Sequence, residues 1–265
     1  MPWSEALHSY RRRGWVLFDA DPAMERWASA CRPLAEAVMR DPARADQWRC
    51  DGTWFAGVNV LMNDADGAMP RHGLPALSGR AVDFVGEALG FGELVWDRAQ
   101  ISIVMPGYPR RGEEETEAAA RYRRNRCAAH VDGLVRSMPE RRRRIAETHG
   151  FLLGIPLDHA RDGGLVVWEG SHEVMRAAFR EALRGVPGAE WRDRDVTDAY
   201  VAARRICFER CRTAVLAPGP GAAYVVHPLA LHGVAPWASE AAEPRTVAYF
   251  RPDTLGGDIA RWLAA

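Results

Sequence analysis

The chain contains 265 residues, of which 48% are hydrophobic, so it is long and apolar enough to build one large domain. Its 35 basic residues balance its 35 acidic residues, and the chain therefore has no net field that would attract nucleic acid or an anionic membrane. Every basic residue other than histidine is an arginine, which excludes Schiff-base chemistry on lysine. We expect neither a nucleic-acid partner nor a membrane partner.

The five cysteines are odd in number and match no disulfide pattern of secreted proteins. The N-terminus lacks the apolar segment of a signal peptide, and no stretch approaches the roughly 18 apolar residues of a membrane span. Cys207 and Cys211 stand one helical turn apart but have no companion histidine nearby, so partly buried thiols are the simpler interpretation. These features predict a soluble, cytoplasmic protein.

The N-terminal third of the chain predicts helices around short apolar strands. A short helix is expected over 4–10, and a β-prone apolar run follows over 15–18. Asp21-Pro22 is a strong helix start, because Asp is a good N-cap and Pro suits the first helical position. Apolar residues then recur at spacings of three and four to about residue 41. Further elements are expected as β-structure in 48–61, a helix in 77–89 and two short strands in 94–105.

The second half predicts a series of strands interrupted by helices. The expected strands are 150–157, 165–168, 213–216, 222–226, 230–234 and 246–250, and the expected helices are 174–183 and 196–209. No repeat or low-complexity linker divides the chain, so we expect one domain over residues 1–265.

The most polar part of the chain is the segment 110–126, which contains three consecutive glutamates followed by several arginines. Such charge runs are usually solvated surface. This one leads directly into His130, however, so a second interpretation is a lid whose arginines reach the mouth of a pocket. The same arginines would then favour an anionic group on the substrate.

The motif that suggests chemistry is the pair His130 and Asp132. Residues two apart on a β-strand point to the same face, so an imidazole nitrogen and a carboxylate oxygen could reach one metal ion. A third ligand could come from His227 or His232, and these are five apart, so on one regular strand they would point to opposite faces. Two histidines and a carboxylate on one side of a metal are the ligands of non-haem Fe(II) oxygenases.

The order of these motifs resembles the phytanoyl-CoA dioxygenase family of Fe(II)- and 2-oxoglutarate-dependent oxygenases. The resemblance extends over about 14–250 and includes the Gly-Gly-Leu-Val-Val-Trp segment that begins at Gly163. The family's Pro-Leu-x-x-His-Gly pattern matches residues 228–233. The resemblance implies a mainly β fold with flanking α-helices, in which a double-stranded β-helix, a jelly-roll and cupin-like core over about 94–252, carries N-terminal helices and helical insertions.

By this resemblance, His130, Asp132 and His232 would be the metal ligands and the catalytic residues, with Fe(II) as their metal. Arg245, thirteen residues after His232, would bind the distal carboxylate of the co-substrate 2-oxoglutarate in a charge-assisted fork. O2 would take the remaining coordination position, and an aliphatic C–H of a small-molecule substrate would be hydroxylated with release of succinate and CO2. The intact Asp132 favours hydroxylation over halogenation, because halogenating relatives lack this carboxylate.

Two positions depart from the family pattern. A serine that often contacts 2-oxoglutarate is replaced by Val234, and an aromatic residue of some members is replaced by Leu153. Valine has no hydroxyl, so the contact of that serine must be lost or made by another side chain. Thr246, Gln100 and Ser102 are the candidates for this co-substrate contact.

Two other function classes remain open from the sequence. A jelly roll that binds a metal or a small molecule without turnover is suggested by Val234 and by the charged segment 110–126, which could block access. A Zn or Mn hydrolase could use the same ligands, with the metal activating water. Arg245 disfavours a hydrolase, because hydrolysis needs no co-substrate that carries a carboxylate.

Overall fold

The computed structural model describes residues 3–240 and 242–265. Within these residues the helices are α1 (Trp3–Arg13), α2 (Pro22–Arg40), α3 (Arg80–Asp83), α4 (Glu117–Arg126), α5 (Ser171–Ala182), α6 (Thr197–Arg210) and α7 (Ile259–Trp262). The strands are β1 (Trp15–Phe18), β2 (Trp48–Arg49), β3 (Trp54–Gly57), β4 (Gln100–Val104), β5 (Leu134–Arg136), β6 (Arg143–Ile145), β7 (Leu152–Pro156), β8 (Leu165–Trp168), β9 (Thr213–Leu216), β10 (Ala223–Val226), β11 (His232–Val234) and β12 (Arg245–Phe250). Short 3-10 segments lie at Pro42–Gln47, Pro70–His72 and Gly188–Glu190, and a π-helical turn at Phe84–Ala88 continues α3.

Helix α2 begins where the sequence predicts, because its first turn is capped. The Asp21 carboxylate accepts hydrogen bonds from the N–H groups of Ala23 and Met24, both at 2.9 Å, and Pro22 occupies the first turn without needing a partner for its nitrogen. The buried face of the helix consists of Met24, Trp27, Ala28, Cys31 and Ala35. None of the described helices is long and apolar enough to cross a membrane.

Two antiparallel sheets form the centre of the molecule. The large sheet has seven strands in the order β1-β10-β7-β12-β4-β3-β2, and the small sheet has three in the order β11-β8-β9. Strands β5 and β6 form a separate hairpin. Because successive side chains of a strand point to opposite faces, each sheet has one face for the interior of the barrel and one for the helices.

The two sheets pack face to face around a shared apolar core. Leu152 and Val247 of the large sheet belong to the same buried cluster as Leu165 and Val167 of the small sheet. The other face of the large sheet packs against α1 and α2, and the other face of the small sheet packs against α5, α6 and α7. This layering of helices on two facing sheets is the double-stranded β-helix with flanking helices, so the predicted fold class is confirmed.

The stretch 94–105 forms one strand, β4, and not the two strands that the sequence predicts. The side chain of Asn63 replaces a neighbouring strand there. Its amide nitrogen donates to Asp97 O at 2.9 Å, and its oxygen accepts from Ala99 N at 2.9 Å. The backbone groups that a strand would have used are therefore already paired with a side chain.

The helix predicted over 77–89 starts later than expected and changes type within its length. It begins at Arg80, after Gly79 adopts a φ of +122°, and it continues as a π-helical turn from Phe84. The carboxylate of Asp21 accepts from Arg80 N at 3.2 Å. One aspartate therefore caps two helices, which couples α3 to the start of α2.

Gly154 lies at the centre of the large sheet between two tyrosines. It is the Cα partner of Tyr224 on β10 and of Tyr249 on β12. The Tyr224 ring lies across it, so a Cβ at position 154 would overlap that ring. The two tyrosine hydroxyls meet at 2.9 Å. Gly154 therefore provides the space in which this pair forms.

Replacing Gly154 with alanine should lower the free energy of unfolding by about 1–3 kcal/mol, because the added methyl overpacks a buried site. Urea denaturation of the wild-type and G154A proteins would measure the change. Gly112→Ala is the matched control, since a Cβ there meets nothing within 4 Å, and we expect it to change stability by less than about 0.5 kcal/mol. Equal stability of the G154A and wild-type proteins would contradict this packing.

Candidate metal centre

His130 and His232 are held side by side by their own backbones. The N–H of His130 donates to His232 O at 2.8 Å, and the N–H of His232 donates to His130 O at 3.0 Å, which forms an isolated antiparallel bridge. His232 begins β11, where it pairs with Val167 of the small sheet. The centroids of the two imidazole rings are consequently 4.6 Å apart.

Asp132 does not lie on a regular strand, so the sequence prediction of a His-x-Asp strand is wrong at this position. The chain makes one bridge at His130 and then turns at Asp132 and Gly133, where Gly133 has a φ of +84°. A Cβ at Gly133 would overlap the carbonyl of Glu147, and Ala146 N donates to Gly133 O at 2.8 Å. The turn, which favours glycine, brings the carboxylate to the histidines.

Three ligand atoms converge on one point. His130 Nε2 lies 3.2 Å from Asp132 Oδ1, and His232 Nε2 lies 3.6 Å from Asp132 Oδ2. The ligand atoms of the three residues all lie within 4.8 Å of one another, and no second group of this kind occurs in residues 3–240 and 242–265. Two imidazole nitrogens and a carboxylate oxygen at these separations can bind one divalent cation from one side.

Each imidazole is oriented by the nitrogen that faces away from Asp132. His130 Nδ1 lies 3.1 Å from Ala128 O, and His232 Nδ1 lies 3.0 Å from Ala230 O. A carbonyl oxygen can only accept, so we assign a proton to Nδ1 in both rings, which makes Nε2 the nitrogen that a metal would bind. When Nε2 carries no proton in either ring, three acceptors face one another and repel unless a cation lies between them, which is the arrangement of metal-ligating histidines.

The electrostatics of the site keep His232 neutral and Asp132 charged. Burial lowers the pKa of His232 to about 4. Burial works against the charge on Asp132, but the neighbouring His232, His130 and Arg251 outweigh it and hold the pKa of this carboxyl well below its usual range. At neutral pH the two side chains therefore have the protonation states that metal binding requires.

A fourth side chain, Arg251, reaches the same carboxylate. Its Nη1 lies 3.1 Å from Asp132 Oδ2, and its Nη2 donates to Gln100 Oε1 at 2.9 Å. Its backbone N–H donates to both carboxylate oxygens of Asp97, at 3.0 and 3.2 Å. Arg251 therefore orients Asp132 and ties the end of β12 to the segment before β4.

An inner cavity extends from the metal ligands into the barrel. Its walls include Trp54, Gln100, Ser102, Tyr108, Leu152, Leu165, Val234, Tyr249 and Arg251. Both of the predicted co-substrate residues of β4, Gln100 and Ser102, thus line the same cavity as the ligands. Ser102 Oγ accepts from Trp54 Nε1 at 3.0 Å, which leaves the serine O–H available as a donor.

Arg245 lies in the same barrel and is 2% exposed. Its Nη2 donates to the hydroxyls of Tyr224 and Tyr249 at 3.2 and 3.3 Å. Its buried Nη1 has no hydrogen-bond partner in the described part of the chain. The Asp158 carboxylate is near enough to interact with this guanidinium electrostatically, but no ion pair joins the two within the described residues. The unused Nη1 therefore remains a donor that an anionic group could accept from.

Tyr249 connects Arg245 to the inner cavity. Its ring lines that cavity, and its hydroxyl meets both Arg245 and Tyr224. Both tyrosine oxygens accept from Arg245, and the bond between the two hydroxyls uses one of their two protons. One phenol proton therefore remains to be donated to a ligand.

Two of the residues singled out from the sequence lie away from this cavity. Thr246 occupies the other face of β12, where its backbone N–H donates to a carboxylate oxygen of Asp158, so it does not stand in for the serine that Val234 replaces. The other candidate histidine, His227, stacks on His172 with ring centroids 4.6 Å apart. It is not a member of the metal-ligand group.

The arginines of segment 110–126 do not reach the inner cavity, which corrects the lid interpretation. Arg123 pairs with Glu115 at 2.7 Å, and Arg124 pairs with Glu117 at 3.1 Å. Glu115 and Glu117 therefore pair with part of the basic residues of this charge run. The charges of such a run are satisfied locally before they are available to a ligand.

The sequence reasoning missed Tyr224, Tyr249 and Arg251. A signal existed for two of them, because Tyr249 and Arg251 are four and six residues after Arg245, an even spacing that predicts the same side of an extended chain. Tyr224 gave no such signal, since it reaches Arg245 from another strand across Gly154.

No protein-family model and no curated protein matches the sequence. Solved structures with a similar fold include an oxidoreductase of the 2OG-Fe(II) oxygenase family from Burkholderia pseudomallei, with 16% identity over 97% of this chain and 93% of that chain and a TM-score of 0.45. HygX from Streptomyces hygroscopicus, solved with nickel, 2-oxoglutarate and hygromycin B, has 12% identity over 94% and 86% of the two chains and a TM-score of 0.43.

A third similar structure is SnoN, a non-haem α-ketoglutarate-dependent epimerase from nogalamycin biosynthesis. It has 14% identity over 95% of this chain and 86% of that chain, with a TM-score of 0.42. At these identities the similarity concerns the fold. The activity therefore has to follow from the side chains of the site.

Replacing Asp132 with alanine should weaken Mn(II) binding by about 100-fold or more, because it removes the carboxylate from a three-ligand site. Calorimetric titration of metal-free protein with Mn(II) would measure the affinity. Asp19→Ala, at an exposed position, is the control and should leave the affinity unchanged. Full affinity in the D132A protein would remove Asp132 from the ligand set.

Proposed function

We propose that the protein is an Fe(II)- and 2-oxoglutarate-dependent oxygenase, related to the phytanoyl-CoA dioxygenase family, that hydroxylates an aliphatic C–H of a small molecule. The observation that supports this best is the combination of two features in one barrel. One is the three-ligand group His130, Asp132 and His232, and the other is the buried Arg245 with its unused donor.

The donor set suits iron. Imidazole nitrogens and a carboxylate oxygen are ligands that Fe(II) accepts, and the Nε2 atoms of both rings already face the common point. The three ligands approach from one side, and cavities adjoin His130 and Asp132 on the other sides. Coordination positions would therefore stay open for a co-substrate and for O2.

A molecule with a metal-binding group at one end and a carboxylate at the other would have to extend from the metal ligands through the inner cavity to Arg245, which lies behind Tyr249. 2-Oxoglutarate has this form. Its distal carboxylate would accept from Arg245 Nη1 and from the spare proton of the tyrosine pair. Gln100 and Ser102 would supply further donors along the wall. Together with Tyr249 they would replace the serine contact that Val234 cannot make.

The bound metal and co-substrate would supply the oxidising chemistry, with succinate and CO2 as the other products. The chain would orient the reactants and limit access of water. Leu152 and Leu165 form apolar walls beside the ligands, and Trp54 is held in place by its bond to Ser102. Arg251 would hold one oxygen of Asp132 and so leave the other directed at the metal.

A jelly roll that binds a metal or small molecule without turnover is the alternative. The observation in its favour is the Arg251–Asp132 ion pair, because it competes with a metal for the carboxylate. A hydrolase has less support, since it would give no role to the buried Arg245.

Anaerobic addition of Fe(II) and 2-oxoglutarate should give a weak visible charge-transfer band, because the co-substrate chelates the metal. Admission of air should then yield succinate even without a substrate, through uncoupled turnover. The D132A protein should give neither signal while retaining its fold by circular dichroism. Absence of both the band and succinate in the wild-type protein would favour the non-catalytic alternative.

Replacing Arg245 with glutamine should weaken 2-oxoglutarate binding to the Mn(II)-loaded protein by about 10-fold or more, which corresponds to the loss of a charged hydrogen bond. Competition against a fluorescent or calorimetric probe of the co-substrate site would measure the change. Mn(II) affinity itself should not change. Arg205→Gln, at an exposed position of α6, is the control. Unaltered co-substrate affinity in the R245Q protein would assign the carboxylate to another residue.

A further inference from the structure

A second cavity, of about 350 Å³, reaches the metal ligands from the side of the β5–β6 hairpin and of helices α4 and α6. His130 and Asp132 line both this outer cavity and the inner one. A molecule in either cavity would therefore lie against the same metal ligands. If the inner cavity takes the co-substrate, the outer one is the place for the molecule that is oxidised.

Three arginines line the outer cavity without acidic partners. Arg136 and Arg143 stand directly opposite each other in the hairpin, and Arg204 approaches from α6. None of their guanidinium groups makes an ion pair within the described residues. Asp132 is the one acid among the described lining residues, and Arg251 already binds it. Like charges directly opposite each other on paired strands are unfavourable, so this arrangement favours an added anion.

Aromatic rings fix the orientation of two of these arginines. The guanidinium carbon of Arg143 lies 4.9 Å from the centroid of the Tyr200 ring. That of Arg204 lies 5.2 Å from Tyr200 and 5.0 Å from Tyr122. A guanidinium stacked on an aromatic face keeps its N–H edge free to donate, so these side chains are set for an anion before it arrives.

The positive charge of the cluster is not offset nearby. Burial lowers the pKa of Arg143, and the neighbouring Arg136 and Arg204 lower it further. An arginine still remains protonated at physiological pH, so the mutual repulsion persists. Arg123 and Arg124 of α4 differ in this respect, because Glu115 and Glu117 pair with them.

We propose that Arg136, Arg143 and Arg204 bind a phosphoryl group, so that the substrate of the oxygenase is a small phosphate monoester. This assignment rests on the proposed function. A phosphoryl group carries a charge of about −1.5 to −2 and three acceptor oxygens, which matches three guanidinium groups better than a single carboxylate does. Val131 and Leu134 offer apolar contacts for the carbon part of the ester.

The test is calorimetric titration of the full-length, metal-free protein with phenyl phosphate at low salt. Removal of the metal prevents the phosphate from binding to it. We expect binding by the wild-type protein, weakened by about 10-fold or more in Arg143→Gln and in Arg204→Gln, as expected for the loss of a charge-assisted hydrogen bond. Benzoate and benzenesulfonate, which are monoanions, should bind at least about 10-fold more weakly than phenyl phosphate.

Arg144→Gln is the matched control. Arg144 adjoins Arg143 on β6, but it pairs with Asp193 at 3.5 Å and does not line the cavity. Its replacement should change phenyl phosphate affinity by less than about twofold. Arg143 and Arg204 lie on different elements, β6 and α6. If one of the two variants misfolds, the phosphate affinity of the other still tests the proposal.

Three results would overturn the proposal: no binding of phenyl phosphate by the wild-type protein, equal losses in R143Q and R144Q, or benzoate binding as tightly as phenyl phosphate. Binding of 2-oxoglutarate to Mn(II)-loaded R143Q and R204Q should stay within about twofold of wild type, since these side chains are outside the inner cavity. A loss there would assign the cluster to the co-substrate and overturn the proposal. Failure of the iron experiment would not affect the phosphate titration, which uses no metal.

Discussion

The reciprocal backbone hydrogen bonds between His130 and His232 are the contact on which the candidate site depends. They join an irregular segment to the edge of the small sheet and so fix two ligands that are about a hundred residues apart in sequence. Gly233 makes this approach possible, because a Cβ there would overlap the carbonyl of Cys127. The positions of the ligand side chains therefore follow from the backbone.

The face of β12 that points into the barrel fixes the positions of further side chains of the site. Arg245 and Tyr249 lie on that face, and Arg251 directly follows the strand, so the strand holds the buried guanidinium at one end and the residue that orients Asp132 just beyond the other. The strand is hydrogen-bonded on both sides, to β4 and β7, and it cannot shift register without moving every one of these side chains to the wrong face.

The regular strands β7, β8, β10 and β12 were predictable from the sequence. Each is a short apolar run bounded by turn residues, and this pattern is typical of a buried strand. The pair His130 and Asp132 was predictable as a ligand candidate from its spacing, whereas spacing left His227 and His232 open and the choice of His232 came from the family resemblance. The turn at Asp132 was not predictable, because it depends on a contact with the distant Glu147. Likewise, the Tyr224–Tyr249 pair depends on strand register across Gly154, and local patterns do not specify register.

The facing arginines of the β5–β6 hairpin have a consequence for motion. Their repulsion cannot be titrated away, because a guanidinium keeps its proton throughout the physiological range. An anion held between Arg136 and Arg143 removes that repulsion and so stabilises the closed hairpin by mass action. Occupancy of the outer cavity and local unfolding of the hairpin are then thermodynamically linked. If the proposed anion binds there, an empty outer cavity would leave this hairpin more prone to local opening than an occupied one.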